Sequence, residues 1–251
     1  MANAPESAAN AGAVTPTAAT WKPDVGAANR WAAARQGEIS FAVRTERRLY
    51  GVAARRAVPA ASVLKAMLLV AYLSEPGVRA RPLRRADRTL LAPMVRWSDN
   101  VAATRVRDIV GNDGLRLLAR RTGMARFQPA AIWGLSRVDA ADQTRFFLRI
   151  DRFVPRRHRR HALRLLATIV SSQRWGIARA RPPGWALYFK GGWGSGSGAV
   201  DHQVAMLRRG ERRLAVAILT TSSPSHAYGK RTLRGVAARL LRGLGPRSRP
   251  R

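Results

Sequence analysis

The order of the secondary-structure signals constrains this chain most, because strand signals stand near both ends and the long middle is helical. Residues 39–43 (Ile-Ser-Phe-Ala-Val) and 49–52 (Leu-Tyr-Gly-Val), split by a polar stretch, predict a β-hairpin. Residues 185–189, 200–207 and 214–220 predict three further strands, the last two joined through a turn at Gly210. Apolar periodicity predicts helices over 62–73, 86–95, 101–110, 115–122, 140–153 and 161–171, with flanking helices over 21–36 and 228–241. A lone hairpin is marginal in water, so the two groups of strands are expected to share one antiparallel sheet built from both chain ends. Helices packed on that sheet make an α+β layout.

The length of 251 residues, 46% of them hydrophobic, suits a single domain with a sizeable core. Its expected span is 21–242, with a sheet part at 21–61 and 184–242 and a helical part at 62–183. Residues 1–20, rich in Ala, Pro, Thr and Asn without a period, read as a disordered or variable tail, and 243–251 as a flexible one. No apolar run reaches the ~18 residues of a membrane span, and residues 1–20 show neither the basic nor the apolar region of an export signal.

The absence of Cys excludes disulfides, a cysteine nucleophile and Cys-type zinc sites. His158 and His161 are spaced i, i+3 without a third ligand in view, so no metal is expected, and no cofactor motif stands in its proper context. The net charge of +32 attracts anions in general. Arg is scattered along the whole chain instead of forming a stripe, which reads as a solvated basic surface, and specific nucleic-acid binding is not expected.

Of the 46 basic residues only four are Lys, and two of these occupy motifs. Ser62-Val63-Leu64-Lys65 opens a helix that is apolar on nearly every side. Ser98-Asp99-Asn100 precedes another helix, and Lys190 ends a strand, followed by Gly191-Gly192. Random placement would give about 0.01 Ser-Asp-Asn matches in a chain of this composition. Lys differs from Arg in that a desolvated amine can shed its proton and act as a base.

In this order the three motifs resemble the S-x-x-K, S-D-N and K-T-G set of class A β-lactamases and penicillin-binding proteins. The resemblance implies the β-lactamase-like fold and a serine hydrolase acylated at Ser62. Catalytic roles would fall to Ser62, Lys65, Ser98 and Lys190. Asn100, Gly191, Gly192 and Trp193 would bind substrate, with Ser62 and Trp193 supplying the oxyanion N–H groups. Asp99 would pin its loop. Ser62 Oγ is expected near both Lys65 Nζ and Ser98 Oγ, with Lys190 across the cleft.

Two departures from the family pattern stand out. Gly191 replaces the threonine whose hydroxyl helps bind a substrate carboxylate, and Thr220 and Thr221 lie too far along the chain to be offered as substitutes. No Glu occurs between Glu75 and Glu211, and the connection 125–136 is short, so the Ω-loop with its deacylating glutamate is absent. Asp139 and Asp142 read as helix-surface residues, not as a replacement base.

The function implied is acylation by a β-lactam or a peptidoglycan-type peptide amide with slow deacylation, by a monomer. A penicillin- or wall-peptide-binding protein acting as sensor or scaffold is the alternative, and an Arg-rich binder of nucleic acid or anionic surfaces a further one. The family is usually exported, while residues 1–20 show no signal, so the sequence leaves the compartment open.

Overall fold

The computed structural model describes residues 21–245. The tail expected over residues 1–20 lies outside them. In chain order the elements begin with α1 (Val25–Ala33), β1 (Glu38–Arg44), β2 (Leu49–Val52) and the short β3 (Val58–Pro59). A single 3₁₀ turn, Ala61–Val63, leads into α2 (Leu64–Ser74). The middle continues with α3 (Pro76–Arg79), α4 (Arg85–Ala92), α5 (Asn100–Thr122), β4 (Arg137–Val138), α6 (Ala140–Leu148), α7 (Ile150–Phe153), α8 (Arg159–Ala167) and α9 (Ile177–Ala180). It closes with β5 (Ala186–Gly194), β6 (Val200–Arg209), β7 (Arg212–Thr221) and α10 (His226–Leu240).

The five long strands form one antiparallel sheet in the order β2-β1-β7-β6-β5. The N-terminal hairpin thus joins the C-terminal meander, with Phe41 opposite Ile218 and Ala205 opposite Val216. This is the α+β sheet from both chain ends that the signals predict. The pairing of β3 with β4 has no counterpart in the sequence reading, since two-residue strands leave no periodic signal.

Helix α2 runs through the centre of the molecule, and every residue from Leu64 to Leu73 is buried. Each Leu or Met contributes about 1.5–3 kcal/mol by leaving water, which anchors the turn bearing Ser62. The helices expected over 101–110 and 115–122 follow one another directly within Asn100–Thr122 and are separated by a kink at Gly111, whose φ is 66°. Packing also passes the boundary expected at 242: Leu244 is buried and its carbonyl accepts from Trp185 Nε1 at 3.2 Å, because the indole N–H needs a partner.

One expectation about β5 is corrected. Lys190 does not end the strand, which continues through Gly191, Gly192 and Trp193 to Gly194, paired throughout with β6. Glycine weakens an isolated strand, but here a full ladder on one side holds the backbone extended. β5 is an edge strand, paired in the sheet on one side only among the described residues.

Candidate active site

The centre of the site is Ser98. It follows a wide turn, Pro93–Trp97, and is held left-handed at φ 61°, ψ 34°, a costly conformation for a residue with a Cβ. Asp99 caps α5 by accepting from Ala102 N–H at 2.7 Å. With the cap supplied by Asp99, Asn100 is free to turn its side chain inward.

Lys65 reaches this loop from the first turn of α2. Its Nζ donates to Ser98 O at 2.5 Å and to Asn100 Oδ1 at 2.7 Å, and lies 3.1 Å from Ser98 Oγ. Lys190 Nζ approaches the same hydroxyl at 3.1 Å from the other side and donates to Gly191 O at 2.8 Å. Both lysines are fully buried.

Burial lowers Lys65 to about 7, opposed by the nearby Asp99 carboxylate. Burial, reinforced by the charge of Lys65, holds Lys190 well below the usual lysine range. A neutral Lys65 has two N–H groups and one lone pair. Ser98 O and Asn100 Oδ1 take the two donors, which leaves the lone pair as proton acceptor.

Ser62 lies in the turn Ala61–Val63, behind Ala61 at a left-handed φ of 44°. Strand β5 passes very close to it. A Cβ on Gly192 would stand 2.8 Å from Ser62 N and 2.9 Å from Val63 N, so only glycine fits. Ser62 Oγ, expected near Lys65 Nζ and Ser98 Oγ, makes no hydrogen bond to either among the described residues: the network converges on Ser98, and the Ser62 turn lies against Gly192 of β5.

His202, on β6, locks this arrangement. Its Nδ1 accepts from Thr220 N–H at 3.1 Å, so Nε2 carries the proton and donates to Pro59 O at 2.9 Å, just before the Ser62 turn. Complete burial lowers it to about 4 and keeps the ring neutral.

A model of the Beta-lactamase enzyme family matches residues 82–244, spanning Ser98–Asn100 and Lys190–Trp193. The chain belongs to that family. A β-lactamase from Sphaerobacter thermophilus superposes with a TM-score of 0.73 at 20% identity, over 87% of this chain and 95% of its own. PBP-A gives 0.71 at 16%, over 86% and 93%, and a β-lactamase from Desulfarculus baarsii 0.69 at 21%, over 85% and 97%. At these identities the likeness establishes the β-lactamase-like fold. No curated protein matches at a significant level.

The departures from the family pattern have structural counterparts. Gly191 is small because Trp175 covers it: the indole atoms would lie 3.3 and 3.4 Å from a Cβ there. Thr220 Oγ1 donates to Asp201 O and Thr221 Oγ1 to Glu38, so neither stands in for the missing hydroxyl. In the short 125–136 connection, the Trp133 ring lies 5.0 Å from Lys65 Nζ and is held by its own bond to Thr104 Oγ1.

Asp139 and Asp142 are buried, not surface, residues. Asp139 caps α6 by accepting from Asp142 N–H, and Asp142 accepts from Arg126 N–H. Trp133, Trp175, Asp201, His202 and His226 carry no motif. No local sequence signal points toward them, because strand pairing and helix packing alone bring them to the site.

Proposed function

We propose that the protein is a serine acyl-transfer hydrolase that is acylated at Ser62 by a β-lactam or a related peptide amide and releases the acyl group slowly. What carries the reading is the relay Lys65–Ser98–Lys190 set beside a serine whose own N–H faces an edge strand.

In acylation, Ser62 Oγ attacks the carbonyl carbon and its proton passes to neutral Lys65 Nζ. The oxyanion is held by the N–H groups of Ser62 and Trp193. As the C–N bond breaks, the proton moves from Lys65 through Ser98 Oγ to the leaving nitrogen, and Lys65 is neutral again. Lys190 steadies the negative charge that builds on Ser98 during this transfer. Such catalytic contacts are commonly long before substrate arrives and tighten in the complex.

Deacylation needs a base for water. Among the described residues no carboxylate hydrogen-bonds Ser62, Lys65, Ser98 or Lys190, and Trp133 covers Lys65. The acyl adduct is therefore long-lived. Incubation with a fluorescent penicillin, read by intact mass, is expected to give a stable adduct that Ser62→Ala abolishes. Rapid colour change with a chromogenic cephalosporin refutes slow release, and absence of any adduct refutes acylation, leaving a non-covalent sensor.

A further inference from the structure

The densest run of basic residues in the chain, Arg156-Arg157-His158-Arg159-Arg160, forms a 3₁₀ turn and the entry to α8. A helix start ordinarily takes a Ser, Thr, Asp or Asn cap and acidic residues, because its free N–H groups and its dipole present positive charge. Here no side chain caps α8 and its first turn holds no acid, so Arg159, Arg160 and His161 oppose the dipole. The sequence keeps cations where the local structure alone disfavours them.

Two hydrogen bonds lay this turn against α3 and the residue after it: His158 Nε2 donates to Val78 O at 3.0 Å, and Arg157 Nη1 donates to Ala80 O. Two hollows adjoin the contact. The first, of about 440 Å³, is lined by Arg157, His158, Arg160, His161 and Arg164 together with Arg88 of α4. The second, of about 500 Å³, is lined by Arg156 and Arg159 with Arg79, Arg121 and Arg152. Neither wall carries an Asp or Glu, and neither includes a residue of the relay around Ser98.

These side chains differ from scattered, solvated arginines. Arg157 and Arg121 are held by backbone carbonyls, at Ala80 and Phe153, and Arg88 Nε reaches Leu83 O at 3.4 Å. None of the nine arginines forms an ion pair among the described residues, whereas Arg81, next to Ala80, is paired with Asp87 at 2.6 Å. Two enclosed nitrogens, Arg159 Nε and His161 Nε2, have no hydrogen-bond partner among the described residues. An enclosed guanidinium N–H can only donate, so it calls for an acceptor. Burial lowers His161 below the usual histidine range, and the charges of Arg164 and Arg88 lower it further.

The walls also select among anions. Single-stranded nucleic acid needs aromatic faces for its bases, and the one Phe, Tyr or Trp here, Phe153, is stacked on Phe146 at 6.1 Å. A membrane surface needs an exposed apolar face, but α8 buries Ala162, Leu165 and Leu166, and no exposed large apolar side chain lines either hollow. Guanidinium forks match phosphate oxygens in pairs, and two adjoining hollows suit several linked phosphates.

We propose that the two hollows form a binding site for an oligophosphate, a short chain of linked phosphates held by Arg88, Arg157, Arg160 and Arg164, with further phosphates on Arg152, Arg156 and Arg159. The inference goes beyond the acyl-transfer reading and does not depend on Ser62.

The test is calorimetric titration of the full chain with inorganic tripolyphosphate, in salt of about 0.15 M to screen the diffuse field. Saturable binding is expected, at least about tenfold tighter than that of orthophosphate, a step the size of one further charge-assisted hydrogen bond. Arg160→Gln/Arg164→Gln should weaken it by about tenfold or more, while Arg231→Gln/Arg234→Gln, which removes the same charge from α10, should change it by less than about twofold. In wild type, hydrogen exchange should show residues 156–164 gaining protection with the ligand, a readout that needs no variant. If both double variants weaken binding equally, if orthophosphate binds as well, or if the protection lies elsewhere, only the diffuse field is acting and the proposal is overturned. It is overturned too if a short thymidine oligonucleotide or phosphatidylglycerol vesicles bind more tightly than tripolyphosphate through Arg160 and Arg164.

Discussion

Substituting Gly192 by alanine tests the contact between β5 and the Ser62 turn directly. The new methyl would meet Ser62 N at 2.8 Å, Val63 N at 2.9 Å and Ala60 O at 3.3 Å. Ordinary contact needs about 3.5 Å, so the shortfall is about 0.7 Å. All three neighbours are backbone atoms at the entry to a helix buried along its whole length, so no flexible side chain can yield. The strand must move away instead, and overpacking of this kind costs about 1–3 kcal/mol. For a domain of this size that lowers the melting temperature by roughly 2–10 °C. The effect on rate is larger. Displacement by most of an ångström separates the two N–H groups proposed to receive the oxyanion, and losing one such donor costs about 100-fold to 1000-fold. Gly191→Ala is the internal comparison, because its Cβ meets the Trp175 ring at 3.3 Å and His202 O at an ordinary 3.7 Å, and it is expected to lose less than tenfold. The assay is the second-order rate of fluorescent-penicillin adduct formation, with thermal unfolding in parallel. A Gly192→Ala protein that acylates within about threefold of wild type would refute the proposed apposition of strand and nucleophile.

Because Lys65 is lowered to about 7 and is proposed to act as its neutral form, acylation is expected to rise with pH through about 7 and then level, as read from rate against pH. Lys65→Arg keeps the charge but cannot give up a proton, so it should reduce acylation by at least ~100-fold at every pH without unfolding the protein, checked by circular dichroism. His202 is neutral in the fold at about 4 against about 6.5 when unfolded, so its contribution is full above 6.5 and is lost as pH falls toward 4. Urea unfolding should show about 3 kcal/mol of stability disappearing over that window, and His202→Gln should flatten it. Trp133→Ala uncovers Lys65 and should shorten the lifetime of the acyl adduct, measured by the decay of its mass peak.

The parts of the site that were legible in the sequence share a physical reason. Lys at 65 and 190 stands out in a chain that otherwise uses Arg, because only Lys can be a neutral base. Ser98-Asp99-Asn100 combines a helix cap with two free polar side chains. The layout of the sheet was legible too, since alternation and turn residues are local signals. What escaped is non-local. Trp175 covers Gly191, His226 leans on Trp193, and Asp201 lies beneath Gly229, each pair brought together only by the ladder from β5 to β6 and by the seating of α10. Glycine misled most. Gly191-Gly192 reads as a strand end, yet Lys190–Gly194 is ladder, and each glycine is small because a neighbour occupies the space of its side chain. The missing methyl of Gly229, inside α10, makes room for the buried carboxylate of Asp201. At 191, 192 and 229 a glycine marks close approach, of Trp175, of the Ser62 turn and of Asp201 in turn, and not flexibility.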